Sequence, residues 1–177
     1  MQLSNKAQYF QLWKKESDFF EQHGIYEQLS KLTPAGNVLE FGCGTGKGTF
    51  WLSEKNPVLS LDNNPHLIDE ARRFLSQSGR NVTIHQCDFF ELSQVDKRII
   101  SNFSPNVLTG WFIGSDGEDI FARTGEQSVL QEKSKLYREK IEDILASPDV
   151  CLSSVEYIHL VSRGGRLADA SDSELFS

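Results

Sequence analysis

What this 177-residue sequence has little of narrows the reading first. Its three cysteines, Cys43, Cys87 and Cys151, are an odd set without metal-site spacing. That argues against a disulfide framework or a metal centre and fits reduced thiols in a cytoplasmic protein. No run of about 18 apolar residues occurs, so no helix is expected to span a membrane. Residues 1–16 hold no uninterrupted apolar stretch and do not read as a secretory signal. Basic residues are in deficit. Eighteen Lys and Arg against 25 Asp and Glu give a net charge of -7, which repels a polyanion on average and disfavours a nucleic-acid partner. A small-molecule partner is the better starting point.

What is present belongs to a globular chain. Twelve Phe and three Trp are far more aromatic bulk than a disordered segment carries. A chain of this length buries about 70% of its unfolded surface and needs no covalent staple.

The hydrophobic period changes along the chain. Phe10, Trp13 and Phe20 recur at roughly helical spacing, Gly24 interrupts, and Ile25 to Leu32 suit a second short helix before Pro34. Residues 1–35 therefore read as a helical segment. From there to about residue 165, short apolar runs alternate with helical stretches. Strands are expected at 37–41, 57–61, 82–84, 106–113 and 155–161. Helices are expected from Gly48 to Lys55, from Asn64-Pro65 to Gly79, around Leu92 to Ile100, and from a capping box at Ser128–Gln131 to Leu145. Residues 114–125 are polar and Gly-containing and read as a loop. Residues 166–177 form a polar tail. Alternation of this kind defines an α/β fold with a mostly parallel, doubly wound Rossmann-like sheet and helices on both faces. Ligands bind such sheets outside the carboxyl ends of the strands, where the strand order reverses.

At the end of the first strand stands Glu40-Phe41-Gly42-Cys43-Gly44-Thr45-Gly46. Glycines allow a tight turn and a close ligand approach, and the following helix turns unpaired N–H groups toward that point. A Walker A loop is excluded, because Phe41 stands where its first glycine belongs. A dinucleotide fingerprint is excluded too, since the third glycine position is Lys47 or Thr49. Asp62 closes the second strand, followed by Asn63, and can accept two hydrogen bonds from a diol. Asp88 follows the third strand beside Phe89, where it is either a helix cap or a polar edge for a planar ring.

An acidic residue, three glycines on alternate positions, and acids at the ends of the next two strands resemble class I S-adenosylmethionine-dependent methyltransferases. The resemblance runs from about Val38 to Phe89, and more loosely to Ile113. It implies S-adenosylmethionine as cofactor, with Glu40, Gly42, Cys43, Gly44, Gly46, Asp62, Asn63, Asp88, Phe89 and Gly110 around it. The ribose would sit on Asp62, the adenine beside Asp88 and Phe89, and the ammonium near Glu40 or the glycine loop. It also implies methyl transfer to a small or medium-sized acceptor, with Tyr9, Trp13 and Trp111 as substrate-side candidates; Tyr9 and Trp13 could equally be sheet packing. No residue stands out as a catalytic base, and no metal is expected. The family's seven-stranded sheet ends in an antiparallel pair, for which this chain has too few residues after the fifth strand. Either the C-terminal edge is abbreviated, or this chain is a piece of a longer protein. That leaves two further expectations open: a homo-oligomer formed through this edge, and a non-catalytic cofactor-binding or partner subunit.

Overall fold

A computed structural model describes residues 3–125 and 130–163. Helix α1, Lys6–Gln22, starts at a capping box. The Asn5 side chain accepts from the Gln8 N–H, and the Gln8 side chain accepts in return from the Asn5 N–H, each at 3.0 Å. Gly24, in the left-handed region at φ 67°, turns the chain into α2, Ile25–Leu32. Strand β1, Val38–Phe41, leads through the glycine loop into α3, Lys47–Leu52. Strand β2, Val58–Asp62, is followed by α4, Pro65–Gln77. Its start is fixed by Asn64, whose side chain accepts from the His66 N–H, and by Pro65 in the first turn. Then come β3, Thr83–Gln86, and α5, Gln94–Phe103, the latter capped by Ser93 and Asp96. Strand β4, Val107–Trp111, precedes α6, Gly117–Thr124, and α7, Leu130–Leu145. The last described element is β5, Tyr157–Val161.

The five strands are all parallel, in the order β3-β2-β1-β4-β5. The chain winds outward from β1 to β3, then crosses back to place β4 on the other side of β1. The order reverses between β1 and β4, beneath the glycine loop.

Alternation along the strands builds a core on each face. Leu39, Phe41, Leu59, Leu61 and Leu108 face Ile100 of α5 and Tyr137, Ile141 and Leu145 of α7. Val38, Val58, Val107 and Trp111 face the opposite way, onto Tyr26 of α2 and Leu52 of α3. Ile84 of β3 joins Ile68, Ala71 and Leu75 of α4. A side chain as fully buried as Leu61 contributes about 1.5–3 kcal/mol by leaving water.

The structure corrects one expected loop. Residues 117–124 are helical because the Asp116 side chain caps the turn, accepting from the Asp119 N–H at 3.0 Å. Glu118 and Asp119 occupy the first turn and Arg123 the last, as the helix dipole favours. Other boundaries move slightly: β3 extends to Gln86, and β4 stops at Trp111 because Phe112 turns to φ 56°. The Ser128 capping box and the 166–177 tail lie outside the described residues. Among the described residues β5 is an edge strand, with Tyr157 and Ile158 each about half exposed.

Candidate functional site

The glycine loop is shaped by its backbone. Gly42, Gly44 and Gly46 have φ of 82°, 51° and 85°, a region that side chains disfavour. Gly42 N–H donates to Leu61 O at 2.7 Å, and Gly46 N–H to Cys43 O at 2.9 Å. The second and third glycines also permit close approach. A Cβ on Gly44 would lie 2.6 Å from Trp13 Nε1, and one on Gly46 would lie 3.0 Å from Ala71 Cα. Gly44 thus admits an indole from α1, while Gly46 admits the backbone of α4. Cys43, between Gly42 and Gly44, is buried, its Sγ 3.5 Å from Asp62 Oδ2, and burial pushes its thiol well up.

The ends of β1 and β2 bring two carboxylates to one edge of the sheet. Asp62 Oδ1 accepts from Asn64 N–H at 2.8 Å, while Oδ2 receives two long bonds, 3.4 Å from Gly44 N–H and 3.5 Å from the Cys43 thiol. Burial raises its pKa, and these bonds oppose the rise. Glu40 sits deeper, on the strand face turned toward α3, and accepts from Thr49 Oγ1 at 2.7 Å. Ser60 and Thr109 flank it in register on β2 and β4. The two hydroxyls are buried without a hydrogen-bond partner of standard geometry among the described residues, although Ser60 lies close enough to ease the charge on Glu40. Burial pushes Glu40 up to about 7, more than the Ser60 and Thr49 hydroxyls hold it down.

Asp88 lies two residues beyond β3. Its Oδ1 accepts from Phe90 N–H at 3.0 Å, and its Oδ2 pairs with Arg123 Nη2 at 2.6 Å. Arg123 also pairs with Asp119 at 2.9 Å and lies 4.2 Å over the Phe90 ring. A carboxylate expected beside an adenine is thus tied to α6.

Above the loop is a crevice of about 40 Å³ whose wall includes Gly42, Gly44, Asp62, Asn63, Phe89 and Trp111. Tyr9 and Trp13 of α1 close it from the other side, their rings stacked at 6.5 Å. Several bonds hold α1 there. Lys6 Nζ donates to Asn63 O at 2.7 Å, and Asn64 Nδ2 to Lys6 O at 3.1 Å. Lys14 pairs with Glu70 at 2.8 Å, Asp18 with Lys47, and Glu16 with Arg163. Ser17 Oγ lies 2.7 Å from Thr45 Oγ1 inside the loop. Trp111 Nε1 is buried without a hydrogen-bond partner among the described residues. A second cavity of about 210 Å³ shares the wall formed by Tyr9, residues 112–115 and Tyr137.

Of the residues singled out from the sequence, Gly42, Gly44, Asp62, Asn63, Phe89, Trp111, Tyr9 and Trp13 converge on the crevice. Glu40 and Cys43 line a hollow of about 20 Å³ beneath the loop. Gly46, Asp88 and Gly110 are in neither wall. A Cβ on Gly110 would strike Ile113 Cδ1 at 2.6 Å, so its smallness serves packing. Sequence reasoning placed Asn64 at a helix start and Leu67 merely within that helix, and it passed over Arg123. The pairing of Arg123 with Asp88, 35 residues away, leaves no local signal. Three residues of metal-ligating type, His85, Cys87 and Asp96, also come within 4.8 Å of one another, away from this crevice. There His85 Nε2 and Asp96 bond directly at 2.6 Å, which braces β3 against α5.

A parallel sheet that reverses its strand order under a glycine loop, with an aspartate closing the neighbouring strand, defines a Rossmann-like fold of the class I methyltransferase type. Residues 38–124 match the family model for a methyltransferase domain. The resemblance drawn from the glycine loop is borne out at that level. Among solved structures, the chain is similar to an S-adenosyl-L-methionine-dependent methyltransferase from Methanococcus maripaludis named as putative. The TM-score is 0.51 at 17% identity, over 88% of this chain and 64% of that one. It is also similar to an S-adenosylmethionine-dependent methyltransferase from Clostridium acetobutylicum (TM-score 0.40, 18% identity, 74% and 45% covered). A third is the CcbJ methyltransferase from Streptomyces caelestis (TM-score 0.43, 20% identity, 76% and 48% covered). The chain spans less than two thirds of each of these proteins. No curated protein matches it.

Proposed function

We propose that the chain is an S-adenosylmethionine-dependent methyltransferase acting on a small or medium-sized acceptor. The observation that carries this reading is the joint exposure of Gly42, Gly44 and Asp62 to one crevice at the point where the strand order reverses.

The residues fit the cofactor chemically. Asp62 Oδ2 keeps acceptor capacity for a ribose diol, since its only backbone bond is long. Phe89 supplies an apolar wall next to it, and Trp111 Nε1 offers a buried donor without a hydrogen-bond partner among the described residues. Glu40 lies under the loop as a counter-charge for an ammonium. When bound, S-adenosylmethionine supplies an electrophilic methyl group on a sulfonium. The chain's part is to orient the reactants and exclude water, which Tyr9, Trp13 and Trp111 are placed to do. No side chain is assigned as a base.

The room is a separate matter. A crevice of about 40 Å³ is far below the ~300–1,000 Å³ of ordinary ligand sites, so Tyr9 and Trp13 must withdraw for the cofactor to enter. The ion pairs that hold α1 are partly exposed, and such pairs contribute only about 0–1 kcal/mol each. The ion pairs therefore add little resistance to displacement of α1, and the main cost is the release of buried Trp13 and Ser17.

A second reading is a non-catalytic subunit in which Trp13 takes the cofactor's place permanently. The seat of Trp13 on Gly44 favours it. Calorimetry with S-adenosylhomocysteine separates the two. Binding by the natural chain, strengthened in Trp13→Ala, supports the enzyme. Absence of binding in both would overturn the methyltransferase reading.

Location and assembly follow as proposals. Three free thiols fit the cytoplasm, and no helix among the described residues is long and apolar enough to cross a membrane. The half-exposed Tyr157 and Ile158 on β5 make a second copy one candidate cover for that edge. The net charge of -7 weighs against nucleic acid as the acceptor.

A further inference from the structure

We propose that the acceptor is a small carboxylate with an apolar body, anchored by Arg138 in the cavity of about 210 Å³ beside the crevice. The acceptor role rests on the methyltransferase reading; the carboxylate site rests on the cavity itself. Its walls are largely apolar, with Ile113, Ile120, Ile141 and Leu160 among them, and no Asp or Glu among the described residues lines it. Among the described residues, the ionic side chains at its edge are Arg138 and Arg163. On a chain of net charge -7 this is a local reversal of sign.

The two arginines differ in state. Arg163 is already paired with Glu16 at 2.6 Å, so this rim holds a carboxylate from α1. Arg138 has neither a hydrogen bond nor an ion pair among the described residues. Arg73, Arg80 and Arg123, by contrast, are each matched to a carboxylate. A guanidinium presents a planar fork that fits a carboxylate in two parallel bonds, and an apolar wall beside it selects what the carboxylate is attached to. The volume is below that of drug-sized sites, which sets the ligand as small. The cavity shares Tyr9, Phe112, Gly114 and Tyr137 with the cofactor crevice, so a ligand in it lies next to the cofactor site.

Benzoate, phenylacetate and hexanoate, each set against its primary amide, test this by ligand-observed NMR on the full chain, with and without S-adenosylhomocysteine. The carboxylates are expected to bind and the amides not. Arg138→Gln should weaken carboxylate binding by roughly tenfold or more, as loss of a charge-assisted pair does, and Arg138→Lys should keep part of it. The affinity of Arg138→Gln for S-adenosylhomocysteine should equal that of the natural chain. Equal binding of acid and amide, indifference to Arg138→Gln, or no binding of any carboxylate overturns the proposal. If carboxylates bind but neither the natural chain nor Trp13→Ala takes up S-adenosylhomocysteine, the site stands and its role as an acceptor site falls.

Discussion

Trp13 Nε1 stands 2.6 Å from the point where a Cβ on Gly44 would be, so the indole of α1 rests on the bare backbone of the loop. No other residue type at position 44 leaves room for that seat. Two effects therefore add in Gly44→Ala, the left-handed backbone at φ 51° and the clash with the ring. We expect a loss of about 1–3 kcal/mol, read by chemical denaturation. Trp13→Ala in the same background should recover the part due to the clash. Full loss in both backgrounds would mean that Trp13 does not rest on Gly44 in solution.

The same contact shows what a sequence can and cannot convey. Strands β1, β2 and β4 are legible because parallel strands buried on both faces read as short apolar runs, and the loop is legible because its three glycines are local. Asn64 and Pro65 mark the start of α4 for the same reason. The period of Phe10, Trp13 and Phe20 reveals an apolar face on α1 but not which part of the sheet that face meets. Helix α6 was hidden by Gly114, Gly117 and Gly125, although Asp116 and Asp119 carry the cap that forms it.

Glu40 makes stability depend on pH. Its carboxyl is raised from 4.5 to about 7 by burial, so the folded chain holds a proton that the unfolded chain has released between those values. Stability is then greatest below pH 4.5 as far as this group is concerned. It falls as pH rises through the window, and the loss is complete above about 7, reaching roughly 3 kcal/mol. Denaturation at pH 5 and pH 8 should show the difference in the natural chain and a smaller one in Glu40→Gln. An identical pH dependence in the two would remove Glu40 as its source.

If an ammonium settles near Glu40, it favours the ionised carboxylate and expels that proton. Calorimetry of S-adenosylhomocysteine binding at pH 6 in buffers of different ionisation enthalpy should reveal proton release. Glu40→Gln should lose the buffer dependence. Binding without proton release in the natural chain would place the ammonium elsewhere.

Asp62 is expected to act on affinity more than on folding. Asp62→Ala removes both acceptors for the diol and should weaken S-adenosylhomocysteine binding by about tenfold or more. Asp62→Asn keeps one acceptor and the shape, and should fall between. The measurement is the ratio of dissociation constants at equal thermal stability. Unchanged affinity in Asp62→Ala would detach the ribose from this residue.

Asp88 separates the expectation drawn from the resemblance from the arrangement in the fold. Its Oδ2 is committed to Arg123 and its Oδ1 to Phe90 N–H, which leaves little for an adenine amino group. If the pair is a brace between the β3 turn and α6, Asp88→Asn and Arg123→Gln should each cost about 1 kcal/mol of stability. Their double variant should cost less than the sum, since the bond is lost only once. S-adenosylhomocysteine affinity would then change by less than about twofold in Asp88→Asn. A large loss of affinity in that variant with unaltered stability would show the opposite: Arg123 yields Asp88 to the nucleoside.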